Sequence, residues 1–175
     1  MGNVYIFRGK AATGKSTLAN MLGSKLAIPV FCKDDIVDAI KSSANIEDRS
    51  IRNAICYNVL SRMIQRSLDL NTDIILDIAL GDRNGAKYFF DRLDFKENRT
   101  FKFFLKCSDL NEWKRRHEER LKNPLPHQSF KSIEHVFEHY EKLDVNPFED
   151  EYIIDTSESV EKSFRDISRI INYGL

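Results

Sequence analysis

The sequence predicts an α/β fold in which a five-stranded parallel sheet carries helices on both faces. Short apolar runs alternate along the chain with segments of helical spacing, which is the order expected of strand–helix–strand units. The run at residues 73–80 is almost continuously apolar, as is typical of a strand buried on both faces of a parallel sheet. A glycine-rich motif joins the first run to the first helical segment. The length of 175 residues suits one domain over 1–175.

The individual elements follow from local patterns and from the turns between them. Five strands are predicted by apolar, β-branched or aromatic runs at residues 4–7, 28–32, 73–80, 100–106 and 151–157. Seven segments are predicted to be helical, at residues 16–26, 36–42, 49–70, 82–93, 111–121, 132–143 and 160–171. Right-handed crossovers between such parallel strands place a ligand beyond the carboxyl ends of the strands.

The motif between the first strand and the first helix is GxxxxGK(S/T), a phosphate-binding loop. Gly9 and Gly14 allow backbone angles and close approaches that a Cβ forbids, and the loop N–H groups then converge into an anion nest at the start of the helix. Lys15 reaches the β- and γ-phosphates, and Ser16 offers a hydroxyl to Mg²⁺. The motif predicts a nucleotide-phosphate site formed by Gly9, Ala11, Ala12, Thr13, Gly14, Lys15, Ser16 and Thr17.

Two acids, Asp34 and Asp35, follow the second predicted strand on the side where the loop opens. A carboxylate there could accept the proton of a hydroxyl that attacks the γ-phosphate, or could hold Mg²⁺ through water. Either acid could instead cap the helix expected to begin at residue 36. We expect one acid to cap this helix and the other to face the site, and the sequence leaves open which does which.

The candidate substrate-binding residues are Asp35, after the second strand, and Asp77 and Arg83, beside the third strand. Asp77 stands inside an otherwise apolar run, where an ionised carboxylate without a partner would be costly. We expect it to emerge at the edge of the sheet near Mg²⁺ or the acceptor. The alternative is an acid satisfied by neighbouring backbone or by a structural arginine. Arg83 lies in the loop that follows and could contact the acceptor.

Arg116 and Arg120 share one face of a strongly charged helix that ends before Pro124 and Pro126. Two guanidinium groups on one face before such a connection are typical of a lid that closes on phosphates, and closure would exclude water. We therefore expect a lid at about residues 111–130. The alternative is a solvated helix held by pairs between its glutamates and arginines.

Composition narrows the classes of partner. The formal net charge is zero, so no overall basic field attracts nucleic acid, and no apolar run approaches the length of a membrane span. The three cysteines are odd in number and lack a CxxC pairing, which favours free thiols in the cytoplasm. The histidines show no zinc-binding pattern and are expected on a helix surface; they are His117, His127, His135 and His139.

Taken together, the segments GKAATGKST, KDD, IILDIAL, WKRRHEER and IIDTS resemble the small P-loop kinases of the AAA_33 and zeta-toxin-like group. That group includes chloramphenicol phosphotransferase-like enzymes and the 5′-kinase domain of polynucleotide kinases. The resemblance covers nearly the whole chain and implies a P-loop NTPase fold of the nucleotide-kinase type and an ATP:hydroxyl phosphotransferase. It also implies that Lys15, Ser16 and Thr17 serve ATP and Mg²⁺. Asp34 matches the catalytic base, and Arg116 or Arg120 matches the lid arginine.

Two features depart from this group. Ile78-Ala79 follows the third-strand acid where a polar pair is expected, which also disfavours a nucleic-acid end as acceptor. Val37 stands where these kinases often carry an arginine that, in polynucleotide kinases, helps to hold the phosphate of the acceptor. Unless Lys33 or Lys41 substitutes, Val37 disfavours a nucleic-acid end. We therefore expect the hydroxyl of a small molecule such as a nucleoside, sugar or antibiotic as acceptor. The alternatives are a polynucleotide 5′-hydroxyl kinase and a non-catalytic ATP-binding switch. The sequence leaves the acceptor and the oligomeric state open.

Overall fold

Five parallel strands form one sheet in the computed structural model, which describes residues 1–44 and 46–173. The strands are β1 Asn3–Gly9, β2 Val30–Cys32, β3 Ile74–Asp77, β4 Arg99–Lys106 and β5 Tyr152–Asp155. Their order across the sheet is β2-β3-β1-β4-β5, and every neighbouring pair is parallel. The predicted fold class is confirmed.

Among the described residues, seven helices connect or follow these strands. They are α1 Lys15–Leu26, α2 Lys33–Ser43, α3 Arg49–Asp69, α4 Arg83–Phe90, α5 Leu110–Lys122, α6 Ile133–Glu141 and α7 Val160–Tyr173. No described helix is both long and apolar enough to cross a membrane.

Two boundaries differ from the predicted ones in ways that affect the site. The helix α2 begins directly after Cys32 rather than at residue 36, so no loop separates it from β2. The strand β3 ends at Asp77 rather than at residue 80, because the chain turns there and the N–H of Leu80 donates to the carbonyl of Ile78 at 2.8 Å. Asp77 is therefore the last residue of its strand and not an interior one.

The helices pack on both faces of the sheet, as expected for parallel strands. On one face α3 and α4 cover β1 and β3, with a core that includes Leu60, Ile64, Phe89, Ile6 and Leu76. On the other face α1 and α7 cover the centre of the sheet, with a core that includes Leu18, Leu22, Ile167, Phe7 and Phe103. The central strand β1 is buried on both faces, and the phosphate-binding loop follows directly from it.

A buried ion pair ties the end of β1 to the segment before β5. The guanidinium of Arg8 donates twice to the carboxylate of Glu151, at 2.6 and 2.7 Å, and both side chains are fully buried. Arg8 also donates to the carbonyls of Leu80 and Asn146. Its remaining surfaces lie against the rings of Phe104 and Phe148, so the charge is both paired and enclosed.

Candidate active site

The loop after β1 adopts a backbone shape that its sequence requires. A Cβ on Gly9 would lie 2.2 Å from the carbonyl oxygen of Leu105 on β4, and φ is +141° there. Gly14 has φ +82°, and Ala12 takes the left-handed region at φ +60° without the freedom of a glycine. Both motif glycines are thus fixed by geometry, as the sequence predicts.

Lys15 is buried at the centre of this loop. Its ammonium group donates to the carbonyl of Lys10 at 2.7 Å, and the hydroxyl of Thr13 donates to the same carbonyl at 2.8 Å. The pKa of Lys15 is lowered, chiefly by burial. The negative charges of Asp77 and Asp34 act to raise this pKa, and the positive charge of Arg120 acts to lower it. Two carboxylates and two cations therefore share one electrostatic environment around the loop.

The two helices that begin at this place are the ones whose N-termini lack a side-chain cap. Side-chain oxygens cap the five other described helices, α3 to α7, and come from Asp48, Asp82, Asp109, Ser132 and Ser159. The N-cap residues of α1 and α2 are Gly14 and Cys32, and neither makes a side-chain cap bond. The first-turn N–H groups and the positive dipole ends of α1 and α2 are thus left for an anion.

Ser16 and Thr17 lie in the exposed first turn of α1, so both hydroxyls are accessible. A hydroxyl oxygen is a suitable ligand for Mg²⁺, which prefers oxygen and keeps several waters. Within residues 1–44 and 46–173, no group of three His, Cys, Asp or Glu side chains is placed to hold a metal.

The structure distinguishes between Asp34 and Asp35. Asp34 is half-buried, and its charge acts on the pKa of both Lys15 and Arg120, whereas the side chain of Asp35 is exposed. The expectation that one of them caps the helix is wrong, because α2 begins at Lys33 and both acids lie inside its first turn. Negative charge in a first turn still interacts favourably with the helix dipole.

Asp77 reaches the site from the end of β3. It is 5% exposed, and it lies beside Cys32, whose thiol donates to the Asp77 carboxylate across 3.6 Å. Burial, followed by the charge of Asp77, raises the pKa of Cys32 to about 12, so this thiol stays protonated and can donate. Asp77 therefore lies at the carboxyl end of β3, as expected, where its charge raises the pKa of Lys15, and no arginine hydrogen-bonds it within the described residues. Its place near Mg²⁺ or the acceptor stays a prediction.

The two candidate lid arginines of α5, Arg116 and Arg120, make different contacts. Arg116 donates to the Glu112 carboxylate at 2.8 Å and to the side chain and carbonyl of Thr156 at 3.1 and 2.5 Å, so it is tied to the end of β5. Hydrogen bonds from Arg115 and Arg116 lower the pKa of Glu112 to about 2. Arg120 instead faces the loop: burial lowers its pKa, and the charges of Asp34 and Asp77 raise it.

A cavity of about 310 Å³ runs along this side of the loop. It is lined by residues of the loop, α1, α5 and the start of α7, including Gly14, Thr17, Arg116, Arg120, Thr156 and Val160. The cavity joins the phosphate loop to the end of β5. Its volume is large enough for part of a nucleotide. Arg83 is absent from its lining and instead lies over the ring of Phe148, 5.1 Å from its centroid.

Two aromatic side chains, Trp113 and Tyr140, bind the backbone of the phosphate loop. The indole N–H of Trp113 donates to the carbonyl of Ala11 at 2.9 Å, and the N–H of Ala11 donates to the hydroxyl of Tyr140 at 2.7 Å. Ala11 thus uses both backbone groups to bind α5 and α6. The pairs are separated by 102 and 129 positions in the chain, so no local pattern could reveal them.

The sequence also did not predict the positions of two histidines, His117 and His127. His117 is 4% exposed and packs edge-on against Trp113, so its expected surface position is wrong. His127 lies in the connection after α5, where its Nδ1 is 2.9 Å from Asp38 Oδ2 and its Nε2 is 3.5 Å from Asp34 Oδ2. In the sequence, only the four-residue spacing of Asp34 and Asp38 on one face of α2 indicates that a third side chain could bridge the two carboxylates.

Comparison with known families agrees with this geometry. The AAA_33 family model, described as an AAA domain, matches residues 4–141, a span that runs from β1 through α6 and contains the loop, both acids and both arginines. The chain belongs to the AAA_33 family. No curated protein matches the sequence significantly.

Solved structures share the fold of this AAA_33 protein at low sequence identity. A candidate kinase from Chloroflexus aurantiacus j-10-fl has a TM-score of 0.75 and 17% identity over 99% of this chain and 98% of its own. APS kinase CysC from Mycobacterium tuberculosis, solved with AMPPNP and APS, has a TM-score of 0.68 and 14% identity over 98% of both chains. A gluconokinase from Sinorhizobium meliloti 1021 has a TM-score of 0.62 and 13% identity over 97% and 93%. The fold is that of small P-loop kinases.

Proposed function

We propose that this AAA_33 protein is a cytoplasmic, ATP-dependent kinase that transfers the γ-phosphate to a hydroxyl group of a small molecule such as a nucleoside, sugar or antibiotic. The observation that carries the proposal is the shared environment of Lys15, Asp34, Asp77 and Arg120 between two uncapped helix N-termini. Phosphoryl transfer requires positioning and charge compensation from a protein, and this arrangement supplies both. The free thiols Cys32, Cys56 and Cys107 suit a reducing compartment.

The donor side is formed by the loop and α1. N–H groups from Ala12 to Thr17 would surround the β- and γ-phosphates, and Lys15 would leave the carbonyl of Lys10 to bind them. Arg120 is our choice for the arginine that compensates the charge of the transferred group, because it faces Lys15 and Asp77. Arg116 is bound to Thr156 at the end of β5, so we assign it to the nucleoside end of the cavity.

The residues fit Mg²⁺ without forming a complete site for it. The accessible hydroxyl of Ser16 would bind the ion directly, and Asp77 would hold it through water, with nucleotide oxygens as the remaining ligands. When bound, the ion would neutralise charge on the phosphates.

Asp34 is our candidate for the base on the acceptor side. Its carboxylate would take the proton of the acceptor hydroxyl as the new bond from oxygen to the γ-phosphorus forms and the bond to the β–γ bridging oxygen breaks, which leaves ADP. Val37 is 8% exposed, so it offers no group to an acceptor. Asp35 points to solvent one residue from Asp34, which makes it a natural control.

The experiment compares three variants in a screen for the acceptor. Hydroxyl-bearing nucleosides, sugars, antibiotics and a 5′-hydroxyl oligonucleotide are incubated with ATP and Mg²⁺ and followed by mass for the gain of one phosphate. We expect Lys15→Ala to abolish transfer. Asp34→Asn should lower turnover by about 10²- to 10⁴-fold while ATP binding, measured by calorimetry, is retained. Asp35→Asn should transfer like the parent.

Near-parental turnover of Asp34→Asn on a confirmed acceptor would show that another group is the base. Transfer to the oligonucleotide alone would identify a nucleic-acid end kinase. ATP binding without any phosphorylated product would favour a nucleotide-binding switch and would overturn the proposal.

A further inference from the structure

The connection between α5 and α6, residues 123–132, is bound to α2 next to the proposed base. His127 provides two contacts, with Nδ1 2.9 Å from Asp38 Oδ2 and Nε2 3.5 Å from Asp34 Oδ2. A third contact comes from Lys41, whose ammonium donates to the carbonyl of Pro126 at 2.5 Å. We call residues 123–132 the lid connector. These contacts place it against the Asp34 carboxylate.

The geometry around His127 makes it a bridge between two carboxylates. Asp34 and Asp38 are four residues apart, so they share one face of α2 and present one oxygen each to the two ring nitrogens. All three side chains are between 23% and 32% exposed, so water competes only in part for these contacts. The other oxygen of Asp38 is buried and has no partner in the described chain, which makes His127 its principal contact.

We propose that His127 is a positioning residue for Asp34, and this inference rests on the assignment of Asp34 as the base. Asp38 fixes the imidazole through Nδ1, and Nε2 then holds the Asp34 carboxylate in one orientation. When Asp34 takes the proton of the acceptor hydroxyl on one oxygen, its other oxygen can still accept from the Nε2–H of His127. The base is therefore oriented only while the lid connector is bound to α2.

The lid connector also links the proposed base Asp34 to Arg120. Arg120 is on the last turn of α5, directly before the lid connector, and faces the same carboxylate. Binding of the connector to α2 would thus position the phosphate-binding arginine and the base in one movement. A site assembled in this way favours transfer to the acceptor over transfer to water.

Two substitutions separate the contacts of the histidine. His127→Asn retains a donor near the position of Nδ1 and so the contact with Asp38, but it cannot reach Asp34. His127→Gln places its amide near the position of Nε2 and so reaches Asp34. His127→Ala removes both contacts. Lys131→Ala is the matched control, because Lys131 is exposed in the same connector and its side chain forms no hydrogen bond or ion pair within residues 1–44 and 46–173.

The first measurement needs no acceptor: the ¹³Cγ resonance of Asp34 in the full chain with AMPPNP. We expect this resonance to shift in His127→Ala and His127→Asn, and to stay in place in His127→Gln and Lys131→Ala. Hydrogen exchange of residues 123–132 should be faster in His127→Ala alone. An Asp34 resonance that is unchanged in His127→Ala would overturn the proposal.

The second measurement uses whichever acceptor the screen identifies. We expect His127→Ala and His127→Asn to lose about tenfold or more in kcat with the KM for ATP within about twofold, and His127→Gln to recover most of the loss. Parental kcat in His127→Asn would contradict a role in orienting Asp34. If the parent phosphorylates no acceptor, the proposed kinase activity fails, whereas the Asp34 resonance still decides the role of His127.

Discussion

At the scale of single residues, His117 links the site to the stability of the fold. Burial, followed by the charges of Arg120 and Lys15, lowers its pKa from 6.5 to about 4. Between these two values the unfolded chain binds a proton that the folded chain does not. The free energy of unfolding therefore decreases as the pH falls through this window.

We predict that His117 accounts for a loss of about 2 kcal/mol in unfolding free energy between pH 7 and pH 5. The measurement is urea unfolding at both pH values for the parent, His117→Gln and His135→Gln. His117→Gln should lose about 2 kcal/mol less than the parent on acidification. His135 is exposed, so its variant should follow the parent. Equal pH dependence in His117→Gln and the parent would contradict the assigned shift.

At the scale of elements, α5 and α6 are fastened to the phosphate loop rather than detached from it. Trp113 and Tyr140 bind the two backbone groups of Ala11, and Arg116 binds Thr156. The first half of α5 is therefore anchored at two places. Any lid movement in the proposed mechanism belongs to the turn with Arg120 and to the lid connector.

The anchor can be tested by removing one hydroxyl. Tyr140→Phe leaves the N–H of Ala11 without its partner, and we expect a loss of about 1–3 kcal/mol in unfolding free energy. Tyr88→Phe is the same substitution at a side chain that is 68% exposed, and it should change stability by no more than about 0.5 kcal/mol. Denaturant unfolding of both variants is the measurement. Equal losses would show that the Ala11 contact contributes nothing specific.

The elements of the fold could be predicted from sequence because their signals are local. The loop motif, the alternating runs and the position of Asp34 after a strand all depend on neighbouring residues. The start of α2 was misplaced because Cys32 ends a strand and begins a helix without any capping side chain. The partners of Trp113 and His127 lie about a hundred residues away, at separations of 102 and 89, where periodicity gives no information.

At the scale of the whole molecule, the buried pair of Arg8 and Glu151 joins the end of the central strand β1 to the segment before β5. Removing one charge leaves the other buried and unpaired, so we predict that Glu151→Gln lowers the unfolding free energy by about 3–5 kcal/mol. The neighbouring pair of Asp150 and Lys102 is a control, because Asp150 is 61% exposed. Asp150→Asn should cost about 1 kcal/mol or less.

Denaturant unfolding again provides the measurement. A double variant, Arg8→Met with Glu151→Leu, should recover much of the loss because no uncompensated charge remains. If Glu151→Gln and Asp150→Asn were equally stable, enclosure of the pair would have no energetic consequence.

The same pair has a consequence for the order in which the chain can fold during its synthesis. Arg8 is synthesised 143 residues before its carboxylate partner Glu151, which lies beyond the end of the family match at residue 141. Until Glu151 has emerged, the guanidinium of Arg8 lacks the carboxylate that pairs with it in the core. We therefore expect the central strand β1, and the phosphate loop that follows it, to reach their final packing only after Glu151 has left the ribosome.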